Sequence, residues 1–209
     1  MLEDILLIKE EHHKAAEQIF QRLLPLHSNK MVIAICGESG TGKSELAHVL
    51  GRKIRNAGKL AKILHSDNYY NIEPHKKIAW RKKHGIKSVG IDEYNWKLIK
   101  QNIQEFKEGK KATMPCIDLL TDLEDTLITD FSMIDYLIFE GLYSFKADAD
   151  LRIFIDLTYY DTKKAQVKRG KEPQNEFRLQ VLEREHKVLQ SLRPLTDLIV
   201  TKNFDVKEV

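Results

Sequence analysis

The stretch GESGTGKS, residues 37–44, decides the fold of this chain. It follows a continuous apolar run, MVIAIC (31–36), and it leads into a segment whose apolar residues recur at helical spacing. This order of strand, glycine-rich loop and helix is the context in which G-x-x-x-x-G-K-[ST] holds phosphate groups. Glycines let successive backbone N–H groups point at phosphate oxygens, and the helix N-terminus adds partial positive charge. The stretch therefore predicts binding of a nucleoside triphosphate.

Two residues at the end of the loop have separate predicted roles in binding the nucleotide. The side chain of Lys43 can reach the β- and γ-phosphates, and the hydroxyl of Ser44 can coordinate Mg²⁺. The sequence lacks the Asn-Lys-x-Asp element that reads guanine, so ATP is the expected nucleotide. The predicted ATP-binding residues are Gly37, Glu38, Ser39, Gly40, Thr41, Gly42, Lys43 and Ser44.

The rest of the chain alternates strand-like segments with amphipathic ones. This alternation predicts an α/β fold of the P-loop NTPase type, with a mainly parallel sheet and helices on both faces. Pro115 argues against a central strand at 112–118, and the basic section 71–90 looks irregular. A long helix near the C-terminus is expected to turn four leucines inward: Leu179, Leu182, Leu189 and Leu192. The predicted strands are 31–36, 60–67, 135–141, 151–157 and 197–201, and the predicted helices begin with one over 3–24 and one from Lys43.

Length and composition place limits on the class of protein. A chain of 209 residues, 42% of them hydrophobic, can bury one substantial core, so residues 1–209 are expected to form one domain, with an N-terminal helix within 1–28. The formal charge of +3 is too small to indicate a nucleic-acid partner. No run of about 18 apolar residues suggests a membrane span, and the N-terminus is unlike a secretory signal. Cys36 and Cys116 are expected to be buried, reduced thiols in the cytoplasm.

Two acidic residues follow strand-like segments and are candidates for the chemistry. Asp67, in HSDNYY, would stand beside the phosphate loop, where a carboxylate can accept the proton of an attacking hydroxyl. An aspartate that caps a turn would look the same in sequence. Glu140, in DYLIFEGLY, stands where P-loop proteins place a carboxylate for Mg²⁺, and Gly141 after it favours close approach of a ligand. A surface glutamate at a strand end is the alternative.

Four motifs together carry a resemblance to a known family. GESGTGKS, SDNYY, IFEGLYSF and DLRIFIDL occur in the order and at the spacing of the uridine kinase and phosphoribulokinase family of P-loop kinases, over about 31–203. The resemblance implies that Asp67 is the catalytic base, that Lys43 and Ser44 serve ATP and Mg²⁺, and that Glu140 lies in the metal's shell. The family's fold also implies a helical lid, which corresponds here to about 161–178.

The resemblance also implies basic residues in the lid that close on the phosphates. The best matches are Lys168 and Arg169, followed by Arg178; exposed helix charges are the alternative reading. A lid that closes excludes water, which would otherwise hydrolyse the nucleotide.

The acceptor half of the site departs from the uridine kinase pattern. The stretch PCIDLLTD (115–122) lacks the stacking aromatic residue and the histidine that this branch carries after the proline. Basic residues within 71–90 could anchor a phosphorylated acceptor or could simply be solvated. The candidate acceptor-binding residues are Tyr70, Arg81, Asp92 and Asp118.

These features predict an ATP- and Mg²⁺-dependent kinase that phosphorylates a hydroxyl of a small metabolite, uridine kinase-like. A kinase for a sugar, a sugar phosphate or a pantothenate-like alcohol is a second hypothesis. A P-loop switch that holds nucleotide without transferring phosphate is a third, and homo-oligomer formation stays open.

Overall fold

The computed structural model describes residues 5–26, 29–169 and 175–209. In that part of the chain the main sheet has the strand order β2-β5-β1-β6-β7-β8, parallel throughout except for β8, which runs antiparallel to β7. The strands of this sheet are β1 (Met31–Gly37), β2 (Ala61–His65), β5 (Tyr136–Gly141), β6 (Leu151–Ile155), β7 (Leu198–Val200) and β8 (Val206–Glu208). A separate antiparallel hairpin consists of β3 (Lys111–Ile117) and β4 (Glu124–Asp130).

Helices cover both faces of the main sheet, as the sequence predicted. They are α1 (Glu10–Leu23), α2 (Lys43–Asn56), α3 (Lys77–His84), α4 (Trp96–Lys107), α5 (Lys163–Arg169) and α6 (Glu176–Gln190). Strand β1 is buried along its whole length. Its Ile33 and Ile35 pack with α1 and α2, whereas Val32, Ala34 and Cys36 pack with α4 on the opposite face. The apolar run before the phosphate loop is therefore the centre of the core.

The N-terminal helix is shorter than the sequence pattern predicted. It begins at Glu10, not near residue 3, because Lys9 has an extended backbone and residues 5–8 before it are not helical. The N–H of Leu7 donates to the carboxylate of Glu45 on α2, 3.1 Å away. That side-chain partner replaces the helical hydrogen bond, so residues 5–9 form a non-helical strap that Leu7 fixes to α2.

Several other elements differ from the expectations. The section 71–90 contains α3, whose buried residue is Arg81, so the segment lacks an apolar stripe. Leu179 is about half exposed, so the prediction that it faces inward was wrong; Leu182, Leu189 and Leu192 are buried. Pro115 does lie outside the main sheet, in the hairpin.

Two further features concern the state of the cysteines and the length and hydropathy of the helices. Cys36 and Cys116 are both buried and both free of disulfides. None of the helices in the described part of the chain is long and apolar enough to cross a membrane.

Candidate active site

The phosphate loop connects the end of β1 to the start of α2. Gly40 and Gly42 have φ values of 79° and 89°, in the left-handed region that favours glycine. A Cβ at Gly42 would also lie 2.6 Å from Nε2 of His12 on α1. The loop therefore needs glycine at Gly42 for two reasons, its backbone and its neighbour. The N-terminus of α2, which directly follows Gly42, is the part of this region that can bind an anion.

Two side chains at the start of α2 lie where the motif predicts phosphate and metal contacts. The Lys43 ammonium donates to the carbonyl oxygen of Glu38, 2.8 Å away, so it spans the loop. The Ser44 hydroxyl donates to Oε1 of Glu140, 2.9 Å away. Glu140 lies on β5, beside β1, so the sheet register brings these residues together.

Glu140 is a buried carboxylate that remains charged. Its Oε1 lies 2.6 Å from Nδ1 of His65, at the end of β2. Burial raises the pKa of Glu140, but the hydrogen bond and positive charge of His65, together with Lys43 and Ser44, outweigh burial and lower this pKa to about 2. The carboxylate thus stays ionised at neutral pH, as a metal-binding carboxylate must.

The donor set of this corner suits a hard cation. Mg²⁺ binds oxygen ligands and usually keeps waters and substrate phosphates in its shell, with only one or two protein ligands. The hydroxyl of Ser44 and the carboxylate of Glu140 supply such oxygens. The described residues contain no cluster of three or more His, Cys, Asp or Glu that could hold a metal alone. The corner fits a cation shared with a phosphate group.

Asp67 lies at the same edge of the sheet. It belongs to a 3₁₀ turn, Ser66–Tyr69, directly after β2, and its side chain is half-buried. A Cβ at Gly141 would clash with Ser66, so the end of β5 and this turn are in close contact. Glycine at that position lets the strand end carrying Glu140 and the turn carrying Asp67 meet beside the loop.

Tyr70 extends this edge with a tyrosine pair. Its hydroxyl accepts a hydrogen bond from the hydroxyl of Tyr94, 2.6 Å away. Burial, then the negative charge of Asp67, raises the pKa of Tyr70 well above its ordinary value. Tyr70 directly follows the Ser66–Tyr69 turn that carries Asp67, so the two residues lie at the same edge.

Arg81 lies in a buried ion network that the sequence did not predict. Its guanidinium binds both carboxylate oxygens of Glu93, at 2.6 and 2.9 Å, and lies 3.5 Å from Glu185 on α6. Arg178 approaches the same Glu185 at 3.8 Å. Because these contacts engage Arg81 and it is only 3% exposed, its role here is to join α3 to α6. Acceptor binding by Arg81 stays a prediction.

The other two acceptor candidates follow segments that contact the Asp67 turn: the N–H of Ile117 donates to Oδ1 of Asn68 at 3.2 Å, and the side chain of Asn71 donates to the carbonyl oxygen of Asp92 at 3.3 Å. Asp118 accepts from the N–H groups of Leu120 and Thr121 and so caps the turn of the β3–β4 hairpin. Asp92 is exposed, beside a cavity of about 470 Å³ between Trp80 and Arg184. Tyr70, Asp92 and Asp118 thus all belong to segments around the Asp67 turn, and their acceptor contacts stay predictions.

Three residues of the predicted lid form hydrogen bonds with Ser39 of the phosphate loop. The hydroxyl of Thr162 and the amide of Gln166 donate to the carbonyl oxygen of Ser39, at 2.8 and 3.3 Å. Arg178 reaches the hydroxyl of Ser39 at 3.4 Å. Of the three lid candidates, Arg178 is therefore beside the loop. The side chains of Lys168 and Arg169 and the whole of 170–174 lie outside the described residues.

Sequence reasoning missed the anchor of the loop itself. Glu38 is buried; its Oε1 lies 2.6 Å from Nδ1 of His186, and its Oε2 accepts from the N–H of Tyr159 at 2.6 Å. No local signal could reveal this, because His186 is 148 residues away. Glu38, at a position where the motif allows any residue, thus links the loop to α6.

A family model for the phosphoribulokinase / uridine kinase family matches residues 32–170. The chain belongs to that family. The match runs from β1 through α5 and contains the loop, Asp67 and Glu140. Membership in this family confirms the expected resemblance.

Individual relatives of this family member cover different parts of it. A uridine kinase of Ureaplasma parvum is 28% identical over 134 residues, 60% of this chain and 62% of the relative. The matched region thus spans less than two thirds of that relative's length. The bifunctional alpha-galactosidase/sucrose kinase AgaSK of Mediterraneibacter gnavus is 29% identical over 199 residues, 86% of this chain and 21% of the relative.

Solved structures of low sequence identity share the fold. A Bacillus stearothermophilus protein described as a possible uridine kinase has a TM-score of 0.62 at 17% identity, covering 91% of this chain and 99% of its own. D-glycerate 3-kinase from Cryptococcus neoformans has a TM-score of 0.59 at 12% identity, covering 96% and 98%. These similarities confirm the predicted α/β architecture.

Proposed function

We propose that this family member transfers the γ-phosphate of ATP to a hydroxyl group of a small metabolite, with Mg²⁺ as the cofactor. The observation that carries the proposal is the meeting of three features at one sheet edge. These are the phosphate loop after β1, Glu140 at the end of β5 and Asp67 after β2. A donor site and a carboxylate beside it are the parts that a direct transfer needs.

The donor half of the reaction uses the loop, Lys43 and Ser44. The loop N–H groups and the N-terminus of α2 bind phosphate oxygens, and Lys43 releases the Glu38 carbonyl to contact the β- and γ-phosphates. Ser44 and Glu140 would hold Mg²⁺, which neutralises charge on the phosphates when bound. Arg178, beside Ser39, adds positive charge on the lid side.

The acceptor half uses Asp67 as a general base. Asp67 accepts the proton of the acceptor hydroxyl while the oxygen attacks the γ-phosphorus in line. The P–O bond to the β-phosphate breaks and ADP leaves, so no phosphoenzyme is needed. Closure of the lid excludes water from this step, since water would compete as the acceptor.

The identity of the acceptor has two candidates. A uridine kinase-like acceptor is supported by the family and by relatives named uridine kinase. A sugar or related polyhydroxy acceptor is supported by the hairpin, where the expected base-stacking aromatic residue and histidine are replaced and Asp118 is used in the turn. The relative that aligns over most of this chain is also named as a sucrose kinase.

A screen of ATP consumption tests both acceptor classes with the full chain. The panel contains uridine, cytidine, neutral mono- and disaccharides, sugar phosphates and pantothenate, each with ATP and Mg²⁺. Turnover with a nucleoside supports the first candidate and turnover with a sugar the second. ATP binding without turnover of any acceptor would contradict the kinase proposal and support a nucleotide-binding switch.

The buried free thiols support a reducing, cytoplasmic location for this activity. The proposed partners are therefore the nucleotide and a small-molecule acceptor.

A further inference from the structure

A cavity of about 230 Å³ lies on the far side of the phosphate loop from Asp67 and Glu140. It is bounded by Thr41 and Gly42 of the loop, by Asp161 after β6 and by Phe204 after β7. The strand order explains its position, because β2 and β5 lie on one side of β1 and β6 and β7 on the other. The loop therefore has the acceptor edge on one side and this cavity on the other.

The remaining wall comes from the N-terminal segment, which lies outside the matched region 32–170. Leu7, Lys9 and His12 line the cavity. The bond from the N–H of Leu7 to Glu45 fixes this strap to α2, one residue beyond Ser44. A part of the chain that the family model does not include is thus built onto the phosphate loop.

His12 presents a hydrogen-bond donor at this wall. Its Nδ1 accepts from the N–H of Lys9 at 2.9 Å, so the proton of the neutral ring is on Nε2. Burial lowers the pKa of His12, which keeps the ring neutral. Nε2 faces Gly42, and the ring meets Phe204 edge-on at 5.2 Å between centroids.

The Nε2–H group of His12 has no hydrogen-bond acceptor among the described residues, although the side chain is only 4% exposed. His12 lines the cavity, so this donor is open to a molecule bound there. A ligand in the cavity can supply the acceptor.

We propose that the N-terminal segment 5–12 forms part of the donor site, and that His12 donates its Nε2–H to the nucleoside part of the bound nucleotide. The inference rests on the proposed function for the position of the phosphates. With the phosphates on the N-terminus of α2 and the acceptor at Asp67, the nucleoside leaves the loop on the side of this cavity. His12 is then a residue that determines specificity for the donor.

The chemistry of the cavity suits a heteroaromatic base with its ribose. Its volume lies below the range of about 300–1,000 Å³ typical for whole ligands, so it fits one moiety of a larger molecule. Leu157 and Phe204 supply apolar surface for a base. Lys202 and Asp161, joined by a 2.8 Å ion pair, supply polar groups at its rim.

Two probes separate contacts with the nucleoside from contacts with the phosphates. ATP carries both parts, whereas inorganic tripolyphosphate carries the phosphates alone. Dissociation constants for both are measured by calorimetry with the full chain and Mg²⁺, for wild type and for His12→Asn, which removes the Nε2–H but keeps an acceptor for the N–H of Lys9. His13→Asn is the matched control, because His13 is the next residue and is exposed.

The expected result is a loss of about five- to tenfold in ATP affinity for His12→Asn, the effect of one hydrogen bond, with tripolyphosphate affinity within about twofold of wild type. The control should match wild type for both probes. No change in ATP affinity, or an equal loss for both probes, would overturn the role of His12. A wild-type protein that binds neither probe would overturn the proposed function as well.

A labelling experiment on the wild-type protein remains decisive if His12→Asn does not fold. Photolysis with 2-azido-ATP, followed by peptide mapping, should label the peptide that contains Lys9 to His12 or the one that contains Lys202 to Phe204. Saturable labelling only in other peptides would contradict the proposal.

Discussion

His65 and Glu140 lie 2.6 Å apart, Nδ1 to Oε1, across the paired ends of β2 and β5. The contact holds the Glu140 carboxylate beside Ser44 and so connects the strand that leads to Asp67 with the donor loop. A buried carboxylate with a depressed pKa stabilises the fold only while it is ionised. The two halves of the site are therefore joined by a group whose charge can be titrated.

The first prediction follows from the pKa of Glu140, which is about 2 in the folded protein against 4.5 for the ordinary group. Because the folded pKa is lower, the stabilisation is fully present above about pH 4.5 and is lost as the pH falls towards 2. It amounts to roughly 3 kcal/mol at neutral pH. Urea unfolding of wild type and Glu140→Gln should show a stability difference that shrinks below pH 4.5. A difference that is constant from pH 7 to pH 3 would contradict this assignment.

The second prediction concerns the buried pair Arg81–Glu93. Removing the negative charge in Glu93→Gln leaves the Arg81 guanidinium buried with weaker compensation, which should destabilise the protein by about 3–5 kcal/mol. The exposed pair Glu73–Lys76 provides the matched control, since Glu73→Gln should leave the stability close to that of wild type. Urea unfolding at pH 7 measures both. Equal effects of the two variants would show that the buried network is not structural.

The third prediction concerns Gly42, which has a left-handed backbone and His12 against it. Gly42→Ala should weaken ATP binding at least tenfold, because the loop must move away from His12. Gly58 has φ 81° but open space around it, so Gly58→Ala should show only the backbone cost of about 1–2 kcal/mol. ATP titration and thermal unfolding of both variants check this. Normal ATP affinity in Gly42→Ala would argue against the tight packing at the loop.

The parts of this structure that could be predicted from the sequence are those determined by local motifs. The phosphate loop, its strand and its helix are contiguous, and the buried strands are continuous apolar runs whose parallel pairing follows from their alternation with helices. The common location of Glu140 and Asp67 could be predicted because the carboxyl ends of neighbouring parallel strands share one edge, whereas their roles stay predictions.

The contacts that the sequence did not predict join residues far apart in the chain. Arg81 and Glu185 are separated by 104 residues, and Glu38 and His186 by 148. The start of α1 was misplaced because Leu7 bonds to Glu45, a contact that helical periodicity does not register. Strand β4 was missed because it is exposed along almost its whole length and carries no apolar run.

The most direct test of the account is Asp67→Asn, which keeps the shape of the side chain and removes the base. With the acceptor identified in the screen, its kcat should fall by about 10²–10⁴ while the dissociation constant for ATP stays within twofold of wild type. Asp125→Asn on the exposed strand β4 is the control and should match wild type in both measurements. An Asp67→Asn enzyme with the wild-type kcat would contradict the assignment of Asp67 as the base, and with it the transfer mechanism proposed for this site.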